Sequence, residues 1–361
     1  MSTVLNFNAG PAMLPPPVLE KAQAELRDYH GRGMSIMEMS HRSKEFEAVN
    51  SDAEARIKRL LGLGDGYRAL FVQGGASTQF AMLPLNFLPS GGTADYLVTG
   101  SWGEKAIEEA TGIGQIHLAG STKADAYRRV PRADEITLSP QSAYVHFTTN
   151  ETIQGVQWHS VPDVGDRPLV ADMSSDILSR PFDASKFALI YAGAQKNLGP
   201  AGVTVVLLRE SWLEAANKKV PTMLRYATHV KNNSLYNTPP TFGIYLLGLV
   251  LQWIEESGGL SALTERNRLK AETLYNTIDQ SGGFYRGHAN ADARSQMNVT
   301  FRLPSEPLEK QFVTEAQAAG MIGLGGHRSV GGIRASIYNA MDVAGCQTLA
   351  TFMNDFAKKN G

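Results

Sequence analysis

The segment FALIYAGAQKNLGP, residues 187–200, joins an apolar run to a lysine, Lys196, and a Gly-Pro turn. The apolar run predicts a buried strand, and the small residues after it predict a loop at a sheet edge. An amine held against apolar surface is desolvated, which lowers its pKa and makes it a nucleophile towards an aldehyde. The segment therefore predicts a sheet with a reactive lysine at a strand end, although most lysines in proteins are solvated surface residues.

A second apolar run, LVAD at residues 169–172, ends in Asp172, 24 residues before Lys196. A pyridoxal phosphate enzyme needs such a pair, because the lysine bonds to the aldehyde of the cofactor and the aspartate keeps its pyridine nitrogen protonated. The plain alternative for Asp172 is a cap on the segment that follows. We predict pyridoxal 5'-phosphate as the cofactor and expect no metal.

Short apolar segments alternate with helical ones through the first two thirds of the chain. Further strands are predicted at residues 68–72, 95–99, 143–147 and 203–208. Strands that alternate with helices indicate an α/β fold with a mostly parallel sheet. The Pro-rich stretch at residues 15–17 predicts a helix that begins at Val18.

The pattern changes after Gly258-Gly259. A long helix at residues 260–278 is followed by a predicted strand at 297–301, a helix near 308–319, a strand near 333–337 and a helix from about Val343. We therefore predict a large cofactor-binding α/β domain at residues 18–257 and a small α+β domain at residues 258–361. The N-terminal arm, residues 1–17, is expected to pack with the active site and the small domain.

Several other polar residues follow predicted strands, where open α/β sheets bind ligands. The turn GGAS at residues 74–77 leads into a helix, and its small residues would let backbone amides approach a phosphate. Trp102, just before a helix predicted from Glu104, would stack on a pyridine ring, and Thr152 would reach the phenolic oxygen of the cofactor. The plain alternatives are a tight turn, a packing indole and a turn hydroxyl.

Two His-Arg pairs and a further arginine occur on predicted loops. His41-Arg42 follows Met39-Ser40, and His327-Arg328 follows two glycines. Arg334 lies just beyond a second pair of glycines. Arginine binds a carboxylate or phosphate through two parallel hydrogen bonds, and histidine adds a shorter donor. Together they predict a site for a dianionic substrate, although each pair alone is more typical of a solvated loop.

Composition limits the class of protein. Hydrophobic residues make up 43% and charged residues 19% of the 361 residues, which is typical of a globular chain. The formal net charge of −1 without a long basic run argues against nucleic acid or an anionic membrane as the main partner. The single cysteine, Cys346, and an N-terminus without a secretory pattern lead us to expect the cytoplasm.

Six motifs occur in order along nearly the whole chain: FNAGPAMLP (7–15), MSHRS (39–43), GGASTQF (74–80), NETIQG (150–155), QKN (195–197) and GHRSVGGIRAS (326–336). Together they resemble the motifs of the phosphoserine aminotransferases. The resemblance runs from near Asn6 to the C-terminus. It implies the fold of the type I pyridoxal phosphate transferases, with a large seven-stranded sheet, and a homodimer whose active sites lie at the subunit interface.

The resemblance also implies the roles of individual residues. The implied cofactor site consists of Ala76, Ser77, Trp102, Thr152, Asp172, Gln195 and Lys196, with Asn237 and Thr238 from the other subunit. The implied substrate site consists of Ala9, His327, Arg328 and Arg334, with His41 and Arg42 from the partner chain. Arg334 would bind the α-carboxylate and the His-Arg pairs the distal anion. Ala9 stands where other members have serine, so a hydroxyl contact is absent there.

The implied reaction is transamination between glutamate and 3-phosphohydroxypyruvate, which gives 2-oxoglutarate and O-phosphoserine in serine biosynthesis. Whether 4-phosphohydroxythreonine, from pyridoxine biosynthesis, is a second substrate is open at this stage. Three alternatives remain: a cysteine desulfurase, an alanine-glyoxylate type transaminase, and a non-enzymatic phosphate-binding protein. The first would need Cys346 on a mobile loop, whereas Cys346 falls within a predicted helix. The last would leave Lys196, Asp172 and Trp102 unexplained.

Overall fold

The computed structural model describes residues 4–361, and it confirms the predicted α/β fold class. The strands of this part of the chain are β1 (Leu5–Asn6), β2 (Tyr67–Val72), β3 (Thr93–Val98), β4 (Gln115–Ser121), β5 (Ser142–Thr148), β6 (Asn150–Glu151), β7 (Val156–Gln157), β8 (Leu169–Asp172), β9 (Phe187–Gly193), β10 (Thr204–Arg209), β11 (Arg286–Gly287), β12 (Asn298–Arg302), β13 (Met321–Ile322) and β14 (Ile333–Ser336).

The α-helices of the same residues alternate with these strands in the first part of the chain and flank them in the second. They are α1 (Pro16–Glu25), α2 (Lys44–Leu60), α3 (Gly75–Phe87), α4 (Ser101–Thr111), α5 (Tyr226–Lys231), α6 (Thr241–Glu256), α7 (Gly259–Asp279), α8 (Glu306–Ala318) and α9 (Val343–Asn360). Between residues 4 and 361, no helix is both long and apolar enough to cross a membrane.

The large sheet of the described residues has seven strands in the order β2-β10-β9-β8-β5-β3-β4. Strand β10 is antiparallel to both of its neighbours, β2 and β9, and the remaining pairs are parallel. The six strands other than β10 therefore run in one direction, and their carboxyl ends meet at one edge. Ligands bind at this edge in open α/β sheets.

Side chains of the large sheet alternate between two apolar cores, as the two-residue period of a strand requires. Along β9, Leu189 and Tyr191 belong to the core that contains α3, whereas Ile190 and Ala192 belong to the core that contains α2 and α6. Both faces are covered by helices, which explains why these strands read as almost continuous apolar runs.

A third core forms between α7, α8 and α9 and the small sheet β11-β12-β14. The N-terminal segment joins this part of the molecule, because β1 pairs with β13 and Phe7 is buried in the same core. It also reaches the loop after β9, where the amide of Ala12 donates to the carbonyl of Gln195 at 2.9 Å. The division of the chain near Gly258 stays a prediction.

Four helix starts differ from their predicted positions, and two of the shifts are small: α7 begins at Gly259 instead of Leu260, and α8 at Glu306 instead of near Leu308. Helix α1 begins at Pro16 instead of Val18, because proline lacks only an N–H that the first turn leaves unpaired anyway. Helix α4 begins at Ser101 instead of Glu104, which puts Trp102 in its first turn. Strand β4 and the β6–β7 hairpin were not predicted: β4 has few large apolar residues, and β6 and β7 have only two residues each.

Candidate active site

The amine of Lys196 faces a cleft at the carboxyl edge of the large sheet. Its Nζ donates a 2.7 Å hydrogen bond to Oγ1 of Thr152 and lies 5.2 Å from the ring centroid of Trp102. Burial lowers the pKa of Lys196 to about 8, although the charges of Asp172 and Glu151 act in the opposite direction. A lysine in this state is neutral, and therefore nucleophilic, in a larger fraction of molecules near neutral pH than an exposed lysine.

Asp172 ends strand β8, as predicted, and only 3% of its surface is exposed. Its Oδ1 accepts a 2.8 Å hydrogen bond from the amide of Ser174, which holds the carboxylate at the cleft. Burial raises the pKa of Asp172, while the nearby Lys196 lowers it. A buried carboxylate can stabilise a cationic group placed in the cleft, such as a protonated ring nitrogen.

Trp102 is held by a carboxylate that sequence reasoning missed. Glu151, fully buried, accepts hydrogen bonds from the amides of Trp102 (3.0 Å) and Gly103 (2.9 Å), so it caps the start of α4. A Cβ atom on Gly100 would lie 2.5 Å from Cδ of Glu151, so only glycine allows this approach. Burial raises the pKa of Glu151 to about 7, against the effect of the two amides.

Thr152 lies in the turn of the β6–β7 hairpin, one residue after Glu151, and not directly at the end of β5. Besides the hydroxyl bond to Lys196, its carbonyl accepts from Nη1 of Arg334 at 3.4 Å. Burial lowers the pKa of Arg334, and its Nε has no partner among residues 4–361. This leaves a buried donor available to an anionic ligand.

Helix α3 is the next element after β2 and begins at Gly75. Its N-terminus lies on another side of the cleft. Ala76 and Ser77 line the cleft there. The first amides of a helix have no intrahelical acceptors and carry the positive end of the helix dipole, so they favour an anion such as a phosphate.

The cleft has a volume of about 410 Å³. It brings together the following predicted residues: Ala9, Ala76, Ser77, Trp102, Thr152, Asp172, Gln195, Lys196, His327 and Arg334. An anion site, an amine, a buried carboxylate and a flat indole fit the phosphate, aldehyde, ring nitrogen and ring of pyridoxal phosphate. In the described part of the chain, no three His, Cys, Asp or Glu side chains cluster closely enough to hold a metal.

Five predicted residues do not line this cleft: His41, Arg42, Asn237, Thr238 and Arg328. Within the described residues, Nε2 of His41 is buried without a partner, and Arg42 and Thr238 are exposed. The side-chain amide of Asn237 reaches only the carbonyl of its neighbour Thr238, at 3.3 Å. A contribution of the first four to the cleft of a second copy stays a prediction, as does the role of Arg328.

Known proteins match the chain over nearly its full length. The profile of the family "Aminotransferase class-V" matches residues 4–349. The phosphoserine aminotransferase of Herpetosiphon aurantiacus is 65% identical over 99% of this chain and 100% of its own length.

Solved structures give the same result. The structure of phosphoserine aminotransferase from Bacillus circulans subsp. alkalophilus has a TM-score of 0.98 at 58% identity, with 100% of both chains covered. The pyridoxal phosphate-bound phosphoserine aminotransferase from Trichomonas vaginalis has a TM-score of 0.93 at 39% identity, over 97% of this chain and 99% of that one. These similarities confirm the expected type I fold.

The non-enzymatic alternative is thereby set aside, since the chain matches the class-V aminotransferase profile and relatives named as phosphoserine aminotransferases. The desulfurase alternative also lacks structural support, because Cys346 is buried within α9. The chain belongs to the class-V aminotransferases, and within them to the phosphoserine aminotransferase family.

Proposed function

We propose that the chain binds pyridoxal phosphate in the 410 Å³ cleft and transfers an amino group from glutamate to 3-phosphohydroxypyruvate. The products are 2-oxoglutarate and O-phosphoserine. The observation that carries this proposal is the environment of Lys196: an amine with a pKa lowered to about 8, hydrogen-bonded to Thr152, in one cleft with Asp172 and Arg334.

The cofactor, when bound, supplies an electron sink that stabilises negative charge at the substrate Cα. Asp172 would hold a proton at its pyridine nitrogen and so maintain that capacity. The amides of Ala76 and Ser77 would bind its phosphate, and Trp102 would cover its ring and exclude water.

Lys196 has the proton-transfer role. Its neutral amine would take the proton from the Cα of glutamate and, in the second half of the cycle, return a proton to the Cα of the new amino acid. Thr152 orients Nζ through the 2.7 Å hydrogen bond. A pKa of about 8 leaves an appreciable fraction of the amine neutral near physiological pH, which suits a base that must also give up its proton.

Substrate binding would depend on separate groups for the two ends of the molecule. Arg334, with its unpartnered Nε, would bind the α-carboxylate that both substrates share. His327 and Arg328 would bind the distal anion, a carboxylate in glutamate and a phosphate in 3-phosphohydroxypyruvate. A flexible arrangement of several donors can accept both groups more readily than one rigid clamp.

We also propose that a second copy completes the site with His41, Arg42, Asn237 and Thr238. Large apolar side chains are exposed in the sequence neighbourhood of these residues, which supports a surface that another protein covers. They are Met34, Met37 and Tyr236. Localisation in the cytoplasm stays a prediction that rests on sequence features alone.

The direct test is an assay of 2-oxoglutarate release from glutamate, with 3-phosphohydroxypyruvate as acceptor and hydroxypyruvate as the control that lacks the phosphate. We expect turnover with the phosphorylated acceptor and little with the control, and none after Lys196→Ala in a protein with an unchanged circular dichroism spectrum. Wild-type turnover by the K196A variant would refute the proposal. The reverse assay with 4-phosphohydroxythreonine decides whether it is a second substrate.

A further inference from the structure

Arg302 lies at the end of β12 and does not line the cleft, yet it bonds to the loop that carries His327. Its Nη1 donates to the carbonyl of Val330 at 2.8 Å. Among the described residues, no other side chain from outside the Gly325–Gly332 loop forms a hydrogen bond with that loop. Arg302 is therefore positioned to fix the loop from its back.

The other side of the Arg302 guanidinium is held by Glu309 on α8. Its Nε donates to Oε1 of Glu309 at 2.6 Å, and the same oxygen accepts from the amide of Leu303 at 3.2 Å. Glu309 lies on α8 and is only 7% exposed. Because a guanidinium is planar and rigid, fixing Nε also fixes the direction of Nη1 and hence the place of the Val330 carbonyl.

The loop backbone lies directly on the Arg302 side chain. A Cβ atom on Gly332, where φ is +74°, would lie 2.6 Å from Cδ of Arg302 and 2.9 Å from the carbonyl oxygen of Phe301. A glycine is needed here both for the left-handed backbone and for the close approach.

Two short steps connect the anchor to the cleft. The amides of Val330 and Gly331 both donate to the carbonyl of His327, at 2.9 and 2.8 Å. The ring of His327 is otherwise held by Ser329 of the same loop, through a 2.7 Å bond between Nδ1 and Oγ. The position of His327 in the cleft therefore depends on the position of Val330. Arg302 fixes Val330 through its hydrogen bond to the Val330 carbonyl.

We propose that Arg302, supported by Glu309, is a positioning residue that sets the affinity for the distal anion of the substrate. It acts through Val330 and His327 and touches no substrate itself. The inference rests on the proposed function for the identity of the substrates. The arrangement of the anchor does not depend on that identity and can be tested separately.

The test compares Arg302→Met with Arg286→Met. Arg286 pairs with Arg302 in register on the neighbouring strand, but its Nη2 donates to the carbonyl of Leu303 at 3.1 Å and not to the loop. In R302M we expect the KM values for glutamate and 3-phosphohydroxypyruvate to rise about tenfold, as the loss of one hydrogen bond predicts, with kcat nearly unchanged. Arg302→Lys, which keeps a positive charge beside Glu309 but lacks the planar, rigid geometry of the guanidinium, should recover part of the affinity.

The half-reaction with alanine distinguishes a loss of distal-anion binding from a general loss of active-site structure, because alanine has an α-carboxylate but no distal anion. Its rate should be the same in R302M, R286M and the wild type. Equal losses for glutamate and alanine, or unchanged KM values in R302M, would overturn the proposal. Failure of the wild type to use 3-phosphohydroxypyruvate would instead remove the proposed function.

Limited trypsin digestion gives a readout that needs neither substrate nor activity. Arg328 is exposed within the loop, so its cleavage, identified by peptide mass, reports how firmly the loop is held. We expect faster cleavage at Arg328 in R302M and a wild-type rate in R286M, each as holoenzyme. An unchanged rate in R302M would contradict the anchoring role of Arg302.

Discussion

Nζ of Lys196 donates a 2.7 Å hydrogen bond to Oγ1 of Thr152. Thr152 lies in the turn of the β6–β7 hairpin, which also contacts Arg334 and the helix that carries Trp102. The carbonyl of Thr152 accepts from Arg334, and the preceding Glu151 caps the helix that carries Trp102. One hairpin, residues 150–157, thus relates the amine, the indole and the guanidinium to one another. The geometry of the site depends on this hairpin as much as on the strand ends.

Replacing Thr152 with valine should lower kcat without unfolding the protein. The change keeps the shape of the side chain but removes the partner of Lys196, and a hydrogen bond to a charged group is worth about 1.5–3 kcal/mol, or roughly a ten- to hundredfold change. Thr264→Val is the matched control, because its hydroxyl bonds only to the carbonyl of Leu260 within α7. Steady-state rates check the effect, and a T152V rate equal to that of T264V would contradict it.

The pKa of Lys196 can be tested in the cofactor-free protein. Burial lowers it to about 8, so acetylation of Lys196, followed by peptide mass, should reach half its maximal rate near pH 8. Asp172 raises this pKa, and so Asp172→Asn should move the midpoint to lower pH. The exposed Asp65→Asn provides the control. A midpoint near the ordinary lysine value of 10.5 would show that the amine is not desolvated.

Arg334 and Arg328 should differ in which substrates they affect. Arg334→Met removes the binding group for the α-carboxylate, so kcat/KM should fall about a hundredfold for glutamate and alanine alike, as expected for a charge-assisted bidentate pair. Arg328→Met should affect glutamate only, because alanine has no distal anion. Single-turnover rates with both amino acids measure this. The assignment fails if R334M leaves the alanine reaction intact.

Shared active sites predict that one inactive and one impaired variant can restore activity together. K196A lacks the amine and Arg42→Ala lacks a binding group that we assign to the neighbouring subunit. A mixed dimer would contain one site with both Lys196 and Arg42 intact. Activity should therefore return when the two variants are unfolded together and refolded, but not when each is refolded alone. No recovery in a verified mixed dimer would place Arg42 in the site of its own chain.

Lys196 and Asp172 could be predicted from the sequence because Asp172 ends a strand that is buried on both faces, and Lys196 lies three residues after the end of another. Such strands appear as continuous apolar runs, and their carboxyl ends meet at one edge of a parallel sheet. The long helix α7 and the C-terminal helix α9 were predicted for a similar reason, since both have a sustained apolar periodicity.

Glu151 could not be found in this way, because its role depends on contacts between distant segments. Helix α4 begins three residues before its predicted start, since Glu151 provides from another segment the cap that the local sequence lacks. Strand β4 was missed because it is an edge strand with Leu118 exposed and polar residues beside it. The anchor at Arg302 likewise depends on Val330, 28 residues away.

The most direct measurement is the absorbance spectrum of the purified protein with pyridoxal phosphate, before and after glutamate is added, with the K196A variant as the control. The wild type should show a visible band that bleaches with glutamate and returns with 3-phosphohydroxypyruvate, and K196A should not show this cycle. A wild-type protein that stays colourless, or a band that glutamate does not change, would contradict the assignment of Lys196 and of the cleft around it.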